Sequence, residues 1–354
     1  MTDDPRDDIR DDPAAATLTA QGSGPRFVSA QDVARRAGVS RSAVSRCFTP
    51  GASIAPETRR RVLEAAAALG YQVNDLARGL LASRSRLVGL VVTNPELGFR
   101  AYLVAALSQA LIRRGSVPVL VNTGRSPAEM EAARAILFGH RAEATIVLSG
   151  SPPADFVEAA RQNGQALVVI GRDEPGCDTL RIDGAGAAAR AAALFAQEGR
   201  RHLALIGSAS DTPTLRERET AFLAAARDLG LGVTHLRGPD SDHAGGHAAA
   251  VDLPRDTDAV FCVNDLMAFG LIDRLRRAGR TIPRDLSVIG FDDLPESRWG
   301  AYDLSSFRQD PAAMAAAAIR LLDRRQAEPA APPLALTLPA PFVARATTLL
   351  KGTP

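Results

Sequence analysis

The residues with the most chemistry to offer are arginines and hydroxyls gathered at the start of a short segment. Ser40, Arg41, Ser42, Ser45 and Arg46 follow the turn Gly38-Val39. An arginine can pair through two N–H groups with O6 and N7 of guanine. Arg41 and Ser42, with Arg46 one turn further on, are therefore candidate readers of base edges, with Ser40 and Ser45 beside them. Residues 27–86 carry ten Arg against four acids, a net charge of +6 that suits a polyanion; a solvated helical face is the plainer alternative. Other patterns point elsewhere. Gly184-Ala-Gly186-Ala-Ala-Ala189 fits G-x-G-x-x-A after a strand and raises a nicotinamide-dependent dehydrogenase. Asp183, directly before it, would set a carboxylate near the pyrophosphate, and no acid ends the next strand to hold a ribose. His243 and His247 stand at i,i+4 near Asp240 and Asp242, as metal ligands would, but Gly245 and Gly246 weaken that helix. There is no serine nucleophile elbow and no Walker loop. The expectation is a protein that is not an enzyme and needs no cofactor or metal.

Those side chains need elements to carry them. Ser29, with Asp32 three residues on, caps a helix through Val33, Ala34 and Ala37 that stops at Gly38. Ser40 caps a second, RSAVSRCF, in which Val44 faces the core with Ala37, and Cys47 or Phe48 follows a turn later. A third helix runs from Pro56 to Leu69, with Val62, Ala65, Ala66 and Leu69 on one side, and ends at Gly70. Two short helices about a glycine turn predict a helix-turn-helix. The segment NDLARGLLAS, with Asn74 as cap, is shorter than the ~12 residues at which isolated helices become stable and contains Gly79. It is expected to be unfolded when free. From Leu87 onward, apolar runs (LVGLVV, VPVLVN, ATIVLS, ALVVIG, HLALIG, AVFCVN, LSVIGF) alternate with Ala-rich helical patterns. That alternation predicts a parallel, doubly wound architecture with ligands at the carboxyl ends of the strands. Phe99, Asp183, Asn264 and Asp265 lie at such ends, and Phe99 is placed to stack on a ring.

The chain has 354 residues, 46% hydrophobic and 23% charged, enough for two or three globular domains. No apolar stretch approaches the length of a membrane span. Residues 1–25 hold six Asp against two Arg and no apolar h-region, so they predict a disordered leader rather than a secretory signal. Three scattered cysteines exclude a disulfide framework, and the expected location is the cytoplasm.

The run VSAQDVARRAGVSRSAVSRCF…TRRRVLEAAAALGYQVNDLARGLLASRSRLVGLVV resembles the lactose-repressor/galactose-repressor (LacI/GalR) family of bacterial transcription regulators. The likeness is continuous over this stretch and looser to the end of the chain, where FAQEGRRHLALIG and NDLMAFGLIDRLRRAG…IPRDLSVIGFDD resemble family stretches. It implies a small all-α helix-turn-helix headpiece plus an α/β core of two doubly wound parallel-sheet subdomains, like periplasmic sugar-binding proteins. The expected division is a leader 1–26, a headpiece 27–73, a hinge 74–86 and a core 87–350. Within the core, the N-subdomain takes about 87–182 and 311–333, and the C-subdomain about 183–310 and 334–350. In such proteins the hinge folds on the operator beside its dimer mate; here that implies Asn74, Arg78 and Leu80, with Leu80 wedged into the minor groove. Arg218 matches an arginine that binds effector oxygens, Asp292 an aspartate that accepts sugar hydroxyls, and Gln309 keeps a family pair with Arg308. An Arg and an Asp on one cleft suit a polyol or an acid.

The implied partners are a pseudo-palindromic double-stranded operator, a sugar or sugar-acid effector and a second copy of the chain, with no membrane. The implied action is repression controlled by effector. Departures are Ala43 and Ala55, where the family has Thr and Ser near the DNA backbone, and AYDLSSFRQ in place of a PPLTT stretch. The C-terminal LLKGTP shows no leucine heptads for a tetramerising coiled coil. A solute-binding protein of like core, and a dehydrogenase, are the alternatives.

Overall fold

The computed structural model describes residues 27–49, 51–72, 85–123, 127–148, 154–210 and 212–349. The leader, the segment holding Asn74, Arg78 and Leu80, and the last five residues lie outside that set. The chain divides into two units, 1–82 and 83–354.

The first unit holds α1 (Ala30–Ala37), α2 (Arg41–Cys47) and α3 (Pro56–Leu69). Ser29 and Asp32 form a full capping box at the start of α1. Gly38 ends that helix with φ 62°, a left-handed conformation that glycine adopts without the penalty of a Cβ. Its own N–H bonds to carbonyls of α1, which turns the chain sharply into α2. Val33, Ala34, Ala37, Val44, Cys47, Val62, Ala65 and Ala66 form the small core.

The second unit is built on two six-stranded sheets. The first has β1 (Leu87–Val92), β2 (Val117–Asn122), β3 (Ala144–Val147), β4 (Ala166–Ile170), β5 (Asp178–Ile182) and β11 (Ala335–Leu338), in the order β11-β5-β4-β3-β1-β2. The second has β6 (His202–Ser208), β7 (Gly232–Gly238), β8 (Ala259–Cys262), β9 (Ser287–Asp292), β10 (Ser305–Arg308) and β12 (Phe342–Val343), in the order β12-β10-β9-β8-β6-β7. Among the described residues every pairing is parallel except the short antiparallel β10–β12. The central strands are apolar runs buried on both faces, as a parallel sheet covered by helices requires. Helices α4 (Phe99–Arg114), α5 (Pro127–Gly139), α6 (Ala154–Gln162) and α11 (Pro311–Ala327) accompany the first sheet. The second is accompanied by α7 (Gly184–Gln197), α8 (Pro213–Asp228), α9 (His243–Ala249) and α10 (Asp265–Arg277).

The chain crosses between lobes after Ile182, after Arg308 and after Leu338. The last crossing falls later than the expected 333/334 boundary. Ala335–Leu338 pairs in register with Thr179–Ile182 and so stays with the first lobe. Four strands went unread in the sequence: β7, β10, β11 and β12. The glycines of α9 also carry a different meaning from the expected one. A Cβ on Gly246 would lie 2.1 Å from the Met267 carbonyl oxygen, and one on Gly270 2.0 Å from that of His243. They permit a close crossing of α9 and α10 rather than simply weakening a surface helix.

Candidate nucleic-acid interface and ligand cleft

In the first unit, α2 presents Arg41, Ser42, Ser45 and Arg46 to solvent while Ala43, Val44 and Cys47 face inward. Ser40 caps the helix through the Ala43 N–H at 3.2 Å, and its hydroxyl lies 2.8 Å from that of Ser42. Most neighbouring arginines are engaged: Arg35 with Asp32, Arg60 with Glu57 and Glu64, Arg59 with the Cys47 carbonyl and Arg61 with that of Ala37. Arg41 and Arg46 on α2, and Arg36 on α1, have no partner among the described residues. This separates the cations that hold the unit together from those left for an external anion. Ala43 is buried rather than on the exposed face. Ala55 is the N-cap of α3 and makes no side-chain cap, so the departure there removes a helix cap.

In the second unit, a cleft of about 420 Å³ opens between the carboxyl ends of the two sheets. That volume is within the ~300–1,000 Å³ range of small-molecule sites. Phe99, Arg218, Asn264, Asp292 and Gln309 all line it. Arg218 sits on α8 between Leu215 and Phe222, on the stripe that packs against the sheet, where Phe222 stacks on Phe261. This burial leaves its side chain 7% exposed. Arg218 donates from Nη1 to the Val263 carbonyl at 2.8 Å, stacks 3.4 Å above the Phe291 ring and lies 3.9 Å from Asp292 Oδ1. Its Nε is buried without a hydrogen-bond partner. Burial pulls its pKa below the ordinary arginine value.

Asp292 ends β9 with φ 128°, a conformation unusual for a residue with a side chain. It accepts a 2.6 Å hydrogen bond from Gln309 Nε2. Burial pushes its pKa up to about 7, against the pull of Arg218 and with help from the charge of Asp265. Asp265, fully buried, accepts from Ser306 at 2.6 Å, Ser297 at 2.7 Å and the Leu294 N–H at 2.8 Å. It fixes the loop after Asp292 rather than facing a ligand, and burial raises its pKa to about 6. Asn264 is the cap of α10: its Oδ1 accepts from the Met267 N–H at 2.9 Å and its Nδ2 donates to the Ser241 carbonyl at 2.8 Å.

The sequence reading did not single out Arg100 and Arg172, which also line the cleft. Arg172 directly follows Gly171 at the end of β4, so the strand-end rule was the signal available. Two ties cross the cleft, Tyr102 Oη to Glu296 Oε1 at 2.9 Å and Arg181 to Glu217. Asp183 spends its carboxylate on the Gly186 N–H at 2.8 Å, the place a pyrophosphate would take. His243 pairs with Asp273 at 2.9 Å, and Asp242 caps α9. Among the described residues no helix is long and apolar enough to cross a membrane.

A helix-turn-helix unit with unpaired arginines, joined in one chain to a two-lobed α/β core with a ligand-sized cleft, defines a DNA-binding regulator of the effector-responsive class. The profile of bacterial regulatory proteins of the lacI family matches residues 29–74, and that of the periplasmic binding protein-like domain matches 192–348. The chain is 31% identical over 307 residues to the HTH-type transcriptional regulator GalS of Salmonella typhimurium, covering 83% of this chain and 89% of that one. A solved complex of the transcriptional regulator CelR with cellobiose superposes with a TM-score of 0.67 at 28% identity, over 90% of this chain and 99% of that one. The lac repressor dimer bound to operator and the anti-inducer ONPF shares the fold, with a TM-score of 0.81 at 22% identity over 92% of this chain and all of that one. The protein belongs to the LacI family of bacterial transcription regulators. With that membership and the occupied helix N-terminus at Gly186, the dehydrogenase reading is set aside.

Proposed function

We propose that the protein is a cytoplasmic repressor that binds a pseudo-palindromic operator as a homodimer and is controlled by a sugar or sugar-acid effector in the interlobe cleft. Arg41 and Ser42 read base edges, with Arg46, Ser40 and Ser45 completing the contact. Asn74, Arg78 and Leu80 belong to the hinge, with Leu80 as the minor-groove wedge. Phe99, Arg218, Asn264, Asp292 and Gln309 surround the effector, Asn264 through the wall it caps. The observation that carries this reading is the contrast within the first unit. Arg59, Arg60 and Arg61 are spent inside it, whereas Arg41 and Arg46 at the helix-turn-helix are not. Support for the cleft comes from a buried guanidinium with an unmet donor beside a carboxylate. Effector binding that favours one disposition of the lobes would carry a coupling of ~1–3 kcal/mol, a 5–150-fold change in operator affinity.

The test is selection of fragments from the source genome by the full chain, followed by anisotropy titration of the selected site over a range of salt. Sequence-specific binding that falls steeply as salt rises is expected. Retention of no fragment above random competitor refutes the reading.

A further inference from the structure

The two lobes line the cleft with different chemistry. The second lobe supplies Arg218 and Asp292. The first meets them with Leu148, Ile170 and Ile182 at its strand ends and Leu97, Leu103 and Met314 beside them, an apolar wall edged by Thr93, Asn94, Arg100 and Arg172. A polyol needs hydrogen-bonding groups around its whole rim, and a hydroxyl pressed on such a wall without a partner loses its hydration uncompensated. Several polar groups of the second lobe are already used. Both ends of the Asn264 amide are engaged, Gln309 Nε2 is held by Asp292, and Ser210 bonds with Ser208 and Thr212.

What remains unmet is cationic. Arg218 Nε is buried without a hydrogen-bond partner, and the carboxylate oxygen beside the guanidinium, Asp292 Oδ1 at 3.9 Å from Nη1, is bonded to Gln309. Taking a guanidinium out of water is costly unless a bonded anion compensates. On the first-lobe side Arg172 is paired with Glu174 at 3.1 Å and Arg100 donates to the Thr93 carbonyl, while Glu217, an acid of the lining, is tied to Arg181. Asp292, pushed up to about 7, is about half ionised near neutral pH and opposes an anion with only part of a charge.

We infer that the effector is a small carboxylic acid with an apolar body, its carboxylate on Arg218 and its apolar body against the wall of Leu148, Ile170 and Ile182. The inference rests on the cleft being the effector site and replaces the polyol body proposed there with an apolar one.

Four probes separate the two contributions: 3-phenylpropanoate, its neutral amide 3-phenylpropanamide, D-gluconate and D-glucose. Each is titrated into the full chain by calorimetry. The aryl acid is expected to bind at least about tenfold more tightly than its amide and than gluconate, with glucose weakest; tenfold corresponds to ~1.4 kcal/mol. Arg218→Gln is expected to abolish the preference for acid over amide, and Ile182→Asn the preference for aryl acid over gluconate. If Arg218→Gln does not fold, Arg218→Lys keeps the charge and is expected to retain the acid preference with reduced affinity. Tighter binding of either polyol than of the aryl acid overturns the inference while leaving the cleft as the effector site. Silence from all four overturns it as well, and the operator titration judges the regulator reading independently.

Discussion

Replacing Asp292 with asparagine tests the electrostatics of the cleft without ligand or DNA. An unfolded aspartate titrates near 3.8, and burial holds Asp292 near 7 in the folded chain. Between those values the folded state binds more protons than the unfolded one, so stability falls as pH rises. The contribution is fully present below about pH 4 and is lost as pH passes through about 7. Each pH unit between the two values is worth ~1.36 kcal/mol, so the ionised carboxylate costs on the order of 4 kcal/mol above neutrality. The amide that replaces the carboxyl would keep an oxygen for Gln309 and carry no charge. The stability of Asp292→Asn relative to the parent is therefore expected to grow by roughly 2–3 kcal/mol from about pH 5 to about pH 8. Asp265, whose charge helps raise Asp292, is relieved of that repulsion in the variant, which trims the size of the difference without changing its sign. Urea unfolding of both chains across that range gives the difference directly. A difference that stays constant with pH, or that shrinks as pH rises, refutes the reasoning.

Other substitutions test other parts. Arg41→Ala should cost about 1–3 kcal/mol of operator affinity and relax preference at one half-site position; unchanged discrimination in a binding-site selection would remove Arg41 as a reader. Ala55→Ser restores a cap to α3 and should raise the stability of the first unit by about 0.5–2 kcal/mol, measured by its thermal transition. Gly246→Ala forces a methyl onto the Met267 carbonyl and should cost about 3 kcal/mol or more in urea unfolding; a loss below ~0.5 kcal/mol would mean that α9 and α10 do not cross so closely. Tyr102→Phe removes the bond to Glu296 and should loosen that tie by about 1 kcal/mol, seen as faster amide exchange at residues 293–297; unchanged exchange would show that the bond does not restrain the loop.

What the sequence made legible was local or doubly buried. The capping box of Ser29 and Asp32 and the left-handed stop at Gly38 depend on residues within a few positions, and they formed as expected. Strands such as Ala144–Val147 and Ala259–Cys262 are apolar throughout because helices cover both faces of their sheets. The unread strands lack that mark. Gly232–Gly238 is an edge strand with His235 and Arg237 half outside, and Ala335–Leu338 is short, partly exposed and defined by a partner more than 150 residues earlier. The same division holds in the cleft. Arg218 and Asp292 were found through the resemblance, but the engagement of Asn264 as a helix cap and the role of Asp265 under the loop depend on contacts that no spacing announces.

The placement of Asp292 explains how a ligand in the cleft can act on the whole core. Gln309, which donates to it, lies in the second crossover between the lobes, and Asp183, beside the Gly184 that packs on Arg218, lies in the first. The next residue, Asp293, is buried and takes Arg308 at 2.6 Å, at the edge of the second crossover, and Arg345, beyond the third. Two adjacent aspartates in left-handed conformations thus connect the cleft to the second crossing and to the segment that follows the third, while Arg218 packs beside the first. Such conformations persist only where the surroundings over-determine them. A ligand that draws on Arg218 or changes the charge of Asp292 therefore alters the balance at the pivots themselves, and a modest difference in binding free energy can be returned as a change in how the lobes stand.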